Sequence, residues 1–173
     1  ANNENKPDWV AADLIAQAEH DANAQSILIT DSTNFAKNVQ SEINRLIKSM
    51  NKKNIIMESL KKNGLILVIS DIYKCPSIIN YLAPEHLHLH IKSYKKILPV
   101  INNAGGIFLG EYSVEAFGDY VVGTNHVLPT LGSAKFSSGL NVLDFMKRNS
   151  VVEMNKKSFL FLNFSIQSSK NFL

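Results

Sequence analysis

The segment Gln17-Ala18-Glu19-His20 sets an amide and an imidazole three residues apart. On a helix that spacing places both on one face, where they can converge on one ion, although a solvated polar pair is the plainer reading of the spacing alone. Ala83-Pro84-Glu85-His86 offers adjacent carboxylate and imidazole groups, the two commonest proton-transfer side chains, at a junction where a helix cannot bury them. A surface-loop dipeptide is the plainer reading of the same pair. His86, His88 and His90 then recur with period two, which on a strand gives them a common face. Such a stripe has the donors for a metal, yet Leu87-His88-Leu89-His90 reads for preference as an exposed sheet face, with His88 and His90 solvated. The stretch from Gly118 to Thr130 carries Asp119 and His126 between glycines. Aspartate is a hard oxygen ligand compatible with zinc, so Gln17, His20 and Asp119 have the donor types for three corners of one site. Ser137-Ser138-Gly139 lacks the lysine and strand context of a phosphate loop, and Gly105-Gly106 precedes a strand, the wrong order for a dinucleotide fingerprint.

The elements that must position these groups follow from periodicity. Trp9, Ala12, Asp13, Ala16, Gln17 and His20 have helical spacing, which predicts a first helix capped by Asp8, preceded by Pro7 and running to about Asp21. Ser26 to Thr30 reads as a short strand. Asp31-Ser32-Thr33 then caps a helix carrying Phe35, Val39, Ile43, Leu46 and Ile47 on one face. A turn near Asn51 to Asn54, a helix over Ile55 to Leu60 and a stop at Gly64 lead into Leu65-Ile66-Leu67-Val68-Ile69, predicted to be a buried parallel strand. The order repeats: helix from Tyr73 to Leu82, strand from Leu87 to Ile91, helix from Ser93 to Asn103, strand from Gly106 to Leu109. Four strands alternating with helices predict an α/β fold, a Rossmann-like layer with a mostly parallel sheet and flanking helices. Residues 110–139 are loop-rich, placed where parallel-sheet enzymes keep their chemistry, and a helix is expected after Asp144, followed by a Phe-rich tail. The expected organisation is a main α/β domain over residues 1–140 and a small helical tail or dimerisation segment over 141–173.

A chain of 173 residues with 45% hydrophobic and 19% charged residues is long enough to bury a core and excludes disorder and coiled coil. A net charge of +3 spread over scattered lysine pairs argues against a nucleic-acid partner. The longest apolar runs are strand-sized, so no membrane span is expected, and the first residues lack the basic start and apolar stretch of a signal peptide. The single cysteine, Cys75, cannot form an internal disulfide, which fits a reducing cytoplasm.

Taken in order, Asp8-Trp9-Val10-Ala11-Ala12-Asp13-Leu14, Gln17-Ala18-Glu19-His20, Ala83-Pro84-Glu85-His86-Leu87, Ala104 to Gly110, Gly118-Asp119-Tyr120, Asn125-His126-Val127-Leu128-Pro129-Thr130 and Phe136-Ser137-Ser138-Gly139-Leu140 resemble the histidinol dehydrogenase family from residue 7 to about 152. The resemblance implies a cytoplasmic, homodimeric oxidoreductase of the last step of histidine biosynthesis, oxidising L-histidinol to L-histidine through L-histidinaldehyde with NAD and one zinc ion per site. Gln17, His20 and Asp119 match that family's zinc ligands, which also touch substrate; Glu85 and His86 match its catalytic pair, with His86 also contacting substrate; His126 matches a substrate-binding histidine. His86 would remove the alcohol proton as hydride leaves for the nicotinamide, and Glu85 would activate the water that hydrates the aldehyde.

The family's members are considerably longer, so the resemblance implies a C-terminal fragment whose NAD-binding residues lie mostly elsewhere. A further zinc-ligating His, which in the family reaches into the partner subunit's site, has no match in Ser168 to Leu173. The fragment alone is therefore expected to be incomplete and inactive. Two other function classes remain open on sequence: a zinc hydrolase using Glu85 as base, and a non-catalytic relative retaining an imidazole and zinc pocket.

Overall fold

The computed structural model describes residues 1–120, 123 and 125–169, without the side chains of 119, 120 and 163–169. Two compact units make up the chain, Ala1–Leu140 and Asn141–Leu173.

In the first unit, helix α1 spans Pro7–Ala18. Pro7 lies in the first turn, where its missing N–H costs nothing. The N-cap position falls on Lys6, which makes no side-chain cap, so the predicted cap Asp8 sits instead inside the first turn, where its charge favours the helix dipole. The helix also ends earlier than its periodicity predicts. The backbone N–H of Glu19 closes on Ile15, and the chain turns at Asp21, whose carboxylate accepts the Asn23 N–H at 2.7 Å.

Strand β1 (Ile27–Thr30) leads to α2 (Thr33–Leu46), which begins as the sequence predicts: Ser32 Oγ accepts the Phe35 N–H at 3.2 Å. Phe35, Val39 and Ile43 form its buried stripe. Helix α3 (Lys53–Asn63) ends at Gly64, and there the glycine is needed for space: its φ is −71°, but an added Cβ would lie 2.4 Å from the Leu60 carbonyl oxygen. Strand β2 (Leu65–Val68) pairs parallel with β1, Ile27 opposite Leu65 and Thr30 opposite Val68. It is not the buried strand predicted, since Leu65 and Val68 remain 44% and 47% exposed. Among the described residues β2 pairs only with β1, in a two-stranded sheet.

A single turn over Ile72–Lys74 precedes α4 (Cys75–Leu82), and β3 (His86–Leu89) pairs parallel with β4 (Gly106–Leu109), His86 opposite Gly106 and Leu89 opposite Leu109. Between them the predicted helix over Ser93 to Asn103 is replaced by two 3-10 turns, Tyr94–Lys96 and Leu98–Val100. Pro99 has no N–H to continue a helical ladder through this stretch. The α/β fold with parallel strands is as expected, its described strands forming two parallel pairs, β1–β2 and β3–β4. One core gathers Val10, Ile15, Leu28, Phe35, Val39 and Ile56 under α1, α2 and α3. A second gathers Ile72, Cys75, Ile79, Leu89, Ile91 and Ile97 beneath β3 and α4. Each fully buried aliphatic side chain contributes roughly 1.5–3 kcal/mol. Helix α5 (Glu115–Tyr120) lies in the loop-rich stretch.

In the second unit, Asn141 and Asp144 bracket a 3-10 turn over Val142–Phe145: Asn141 Oδ1 accepts the Leu143 N–H and Asp144 Oδ2 the Asn141 N–H, both at 2.8 Å. Residues 146–155 have no regular structure, so the helix expected directly after Asp144 begins only at α6 (Lys156–Ser169). Phe159, Leu160 and Phe161 of α6 are more than half exposed. No helix among the described residues is long and apolar enough to cross a membrane.

Candidate active site

The Ala83-Pro84-Glu85-His86 junction is held by backbone geometry. Ala83 ends α4 in the left-handed region, at φ 49° and ψ 61°, and is fully buried. Gly105 then donates its N–H to the Pro84 carbonyl at 2.9 Å and Gly106 to the Glu85 carbonyl at 2.7 Å. An added Cβ on Gly105 would lie 2.6 Å from the Glu85 carbonyl oxygen. The glycine pair that has the wrong order for a dinucleotide loop thus serves to let β4 approach the backbone carrying Glu85 and His86.

From this anchored start β3 projects its histidines onto one face. His86 and His88 keep 15% and 17% of their side chains exposed and His90 only 8%. The expectation of a solvated His88 and His90 is therefore corrected. α1 and α5, distant in sequence, supply the groups that cover the face. Nε2 of His86 lies 3.3 Å from Oε1 of Glu115, and Nε2 of His88 lies 3.8 Å from Oε2 of the same carboxylate. On the other side Asp13 Oδ2 stands 2.9 Å from His90 Nε2 and 3.7 Å from His88 Nδ1. Phe108 of β4 stacks on His88 with ring centroids 4.9 Å apart. The Nδ1 atoms of His86 and His88 are buried without a hydrogen-bond partner.

Glu115 is the electrostatic centre of the group. Its contact with His88, together with the nearby imidazoles of His86, His88 and His20, holds the carboxyl below the usual carboxylate range against the opposing effect of burial.

Asp13, His86, His88, His90 and Glu115 border a cavity of about 710 Å³ that also reaches Gln17 and Glu85. Gln17 sits in the last turn of α1; His20 falls beyond the helix end, exposed, rather than on the helix face expected. His20 is nonetheless close enough to Glu115 for its charge to act there. The side chain of Asp119 lies outside the described residues, but its backbone belongs to α5, the helix that begins at Glu115. His126 is exposed at a bend. An amide, an imidazole and a carboxylate at the ends of α1 and α5 are a donor set that fits zinc in type.

Sequence reasoning missed Asp13 and Glu115. Asp13 carried a signal, since it stands one helical turn before Gln17 and so shares its face. Glu115 carried none; it belongs to a short helix whose position depends on the fold.

A family model described as histidinol dehydrogenase matches residues 1–168. Similar proteins include the histidinol dehydrogenase of Aquifex aeolicus, 46% identical over 153 residues, 88% of this chain and 36% of that protein. That of Caldanaerobacter subterraneus is 49% identical over 152 residues, 88% of this chain and 35% of that protein. The crystal structure of histidinol dehydrogenase from Elizabethkingia anophelis aligns with a TM-score of 0.87 and 35% identity over 99% of this chain and 39% of that chain. The chain spans about a third of the length of the curated relatives it matches.

Proposed function

Since this chain belongs to the histidinol dehydrogenase family, we propose that it carries the catalytic pair and metal ligands of a zinc-dependent, NAD-linked oxidation of L-histidinol to L-histidine through L-histidinaldehyde. The observation that carries this reading is the convergence of Glu85, His86 and Gln17 on one cavity, with His86 braced by Glu115 at 3.3 Å. Gln17, His20 and Asp119 would hold the zinc ion. Bound zinc supplies a Lewis acid that fixes the substrate's imidazole and amine, and bound NAD supplies the hydride acceptor.

The chain's own groups manage protons. His86 accepts the alcohol proton at its imidazole, and Glu115 across from Nε2 stabilises the imidazolium that results. Glu85, on the same anchored junction, draws a proton from the water that adds to the aldehyde. His126 contacts the substrate from the loop before Pro129. NAD contacts are assigned to no residue of this chain. On this reading the enzyme is a cytoplasmic homodimer whose partner subunit completes the zinc coordination with a histidine, and the exposed apolar residues of α6 suit a segment that docks on a second subunit.

The test is NADH formation from L-histidinol by the complete gene product, with zinc content measured in parallel. His86→Ala and Glu85→Gln should each lower the rate by roughly 100 to 10,000-fold while zinc stays bound, because these groups move protons and do not hold the metal. Loss of zinc with retained turnover would reverse the assignment.

A further inference from the structure

Three polar side chains beside the cavity take no part in that chemistry: Asp13 on α1, and His88 and His90 on and just after β3. We propose that they form a metal site of their own for a divalent cation of the zinc class, separate from the ligand set Gln17, His20 and Asp119.

The argument begins with the strand. Positions 88 and 90 share a face because strand side chains alternate, and their rings lie stacked, 5.6 Å apart and 10° from parallel. Two imidazoles presented in that way offer two nitrogen donors on one side of the sheet. Asp13 meets both with a single oxygen, 2.9 Å from His90 Nε2 and 3.7 Å from His88 Nδ1, and the three donor atoms lie within 4.8 Å of one another. Zinc bonds of about 2.0–2.2 Å in tetrahedral geometry place ligand atoms roughly 3.3–3.5 Å apart. The observed separations straddle that value, and small side-chain rotations close the widest of them.

Burial and tautomer strengthen the case. The Nδ1 atom of His88 is buried and has no hydrogen-bond partner, although a carboxylate oxygen stands 3.7 Å away. The ring's other nitrogen faces Glu115 at 3.8 Å. Each ring nitrogen of His88 thus faces a carboxylate, and a cation bound at Nδ1 would leave the proton on Nε2, turned towards Glu115. Glu115 thus has the role of an outer carboxylate that orients a metal-bound histidine. One carboxylate and two neutral imidazoles carry a net charge of −1, which a divalent cation reverses, and three protein donors leave a coordination position open towards the cavity. The backbone is fixed as well, with the Asn5 side-chain amide donating to the His90 carbonyl.

The experiment is a zinc titration of the metal-stripped chain in competition with a chromogenic chelator. The His20→Ala variant, which lacks a ligand of the other site, should still bind one equivalent of zinc. Adding Asp13→Asn or His88→Asn with His90→Gln should weaken that binding by more than the roughly 10–100-fold typical of losing an outer-shell partner, and Glu115→Gln should weaken it by about that amount. Zinc binding by His20→Ala that is indifferent to all of these substitutions would overturn the proposal, as would loss of all binding in His20→Ala alone. A second measurement uses no variant: on adding zinc, the imidazole nitrogen resonances of His88 Nδ1 and His90 Nε2 should shift together. A shift confined to His20 would overturn the site and leave the proposed function standing.

Discussion

His86 and Glu115 face each other through Nε2 and Oε1 at 3.3 Å, one from the first residue of a strand and the other from the first residue of a short helix. A carboxylate in that position orients the ring, so Glu115 is a positioning residue for the proposed base. Glu115→Gln should lower kcat roughly 10 to 100-fold by the scale of lost orienting partners. KM for L-histidinol should change little, and the pH–rate profile should move. An unchanged profile with a uniform loss of folded protein would mean that Glu115 is only structural.

Gly105 should tolerate no side chain. In Gly105→Ala the new Cβ meets the Glu85 carbonyl oxygen at 2.6 Å, and that oxygen is backbone held by Gly106. The expected cost is about 1–3 kcal/mol, the range for overpacking, read from urea denaturation. Gly132→Ala offers a contrast: its Cβ has space, 3.6 Å from the Leu82 carbonyl oxygen, and its penalty comes from a φ of +77°.

Acid should unfold the protein partly through Glu115. Its folded pKa lies below the ordinary glutamate value of 4.5, so the folded state binds the proton less readily than the unfolded state. The stabilisation is therefore complete above about pH 4.5 and is lost as the pH falls through the depressed folded value. Thermal melts across that acid range should show a shallower fall for Glu115→Gln than for the wild type. Equal slopes would refute the linkage.

Cys75 should resist thiol reagents in the native state. It is 3% exposed within the α4 core and burial raises its pKa, so little reactive thiolate is available. Labelling by an aromatic disulfide reagent should be slow in buffer and rapid in denaturant. Fast labelling of folded protein would show that this core opens readily.

The regular elements were legible in the sequence because their signals are local. Ser32 announces α2 by a hydroxyl that needs no tertiary partner, and the aliphatic runs of β1 and β4 have no helical alternative of adequate length. The helix expected over Ser93 to Asn103 fails at Pro99, where the missing donor outweighs the apolar spacing. His88 and His90 were read as solvated because alternation tells which residues share a face and not what covers that face. The cover is Asp13 and Glu115, from helices far away in sequence. The alternation of His86, His88 and His90 gave the common face correctly, and the Glu85-His86 pair lies beside the cavity where proton transfer is proposed.

The alternation along β3 separates two inheritances. Even-numbered positions 86, 88 and 90 hold imidazoles against carboxylates, while Leu87, Leu89 and Ile91 pack into or against the second core. Substituting an even position alters ligands and protons with little effect on the hydrocarbon packing. A single-residue deletion between Ala83 and His86 is a different event. It exchanges the two sets at once, driving histidines into an isoleucine core and leucines towards the carboxylates. Point changes at the even positions are therefore changes of reactivity, whereas a change of length here disrupts the fold.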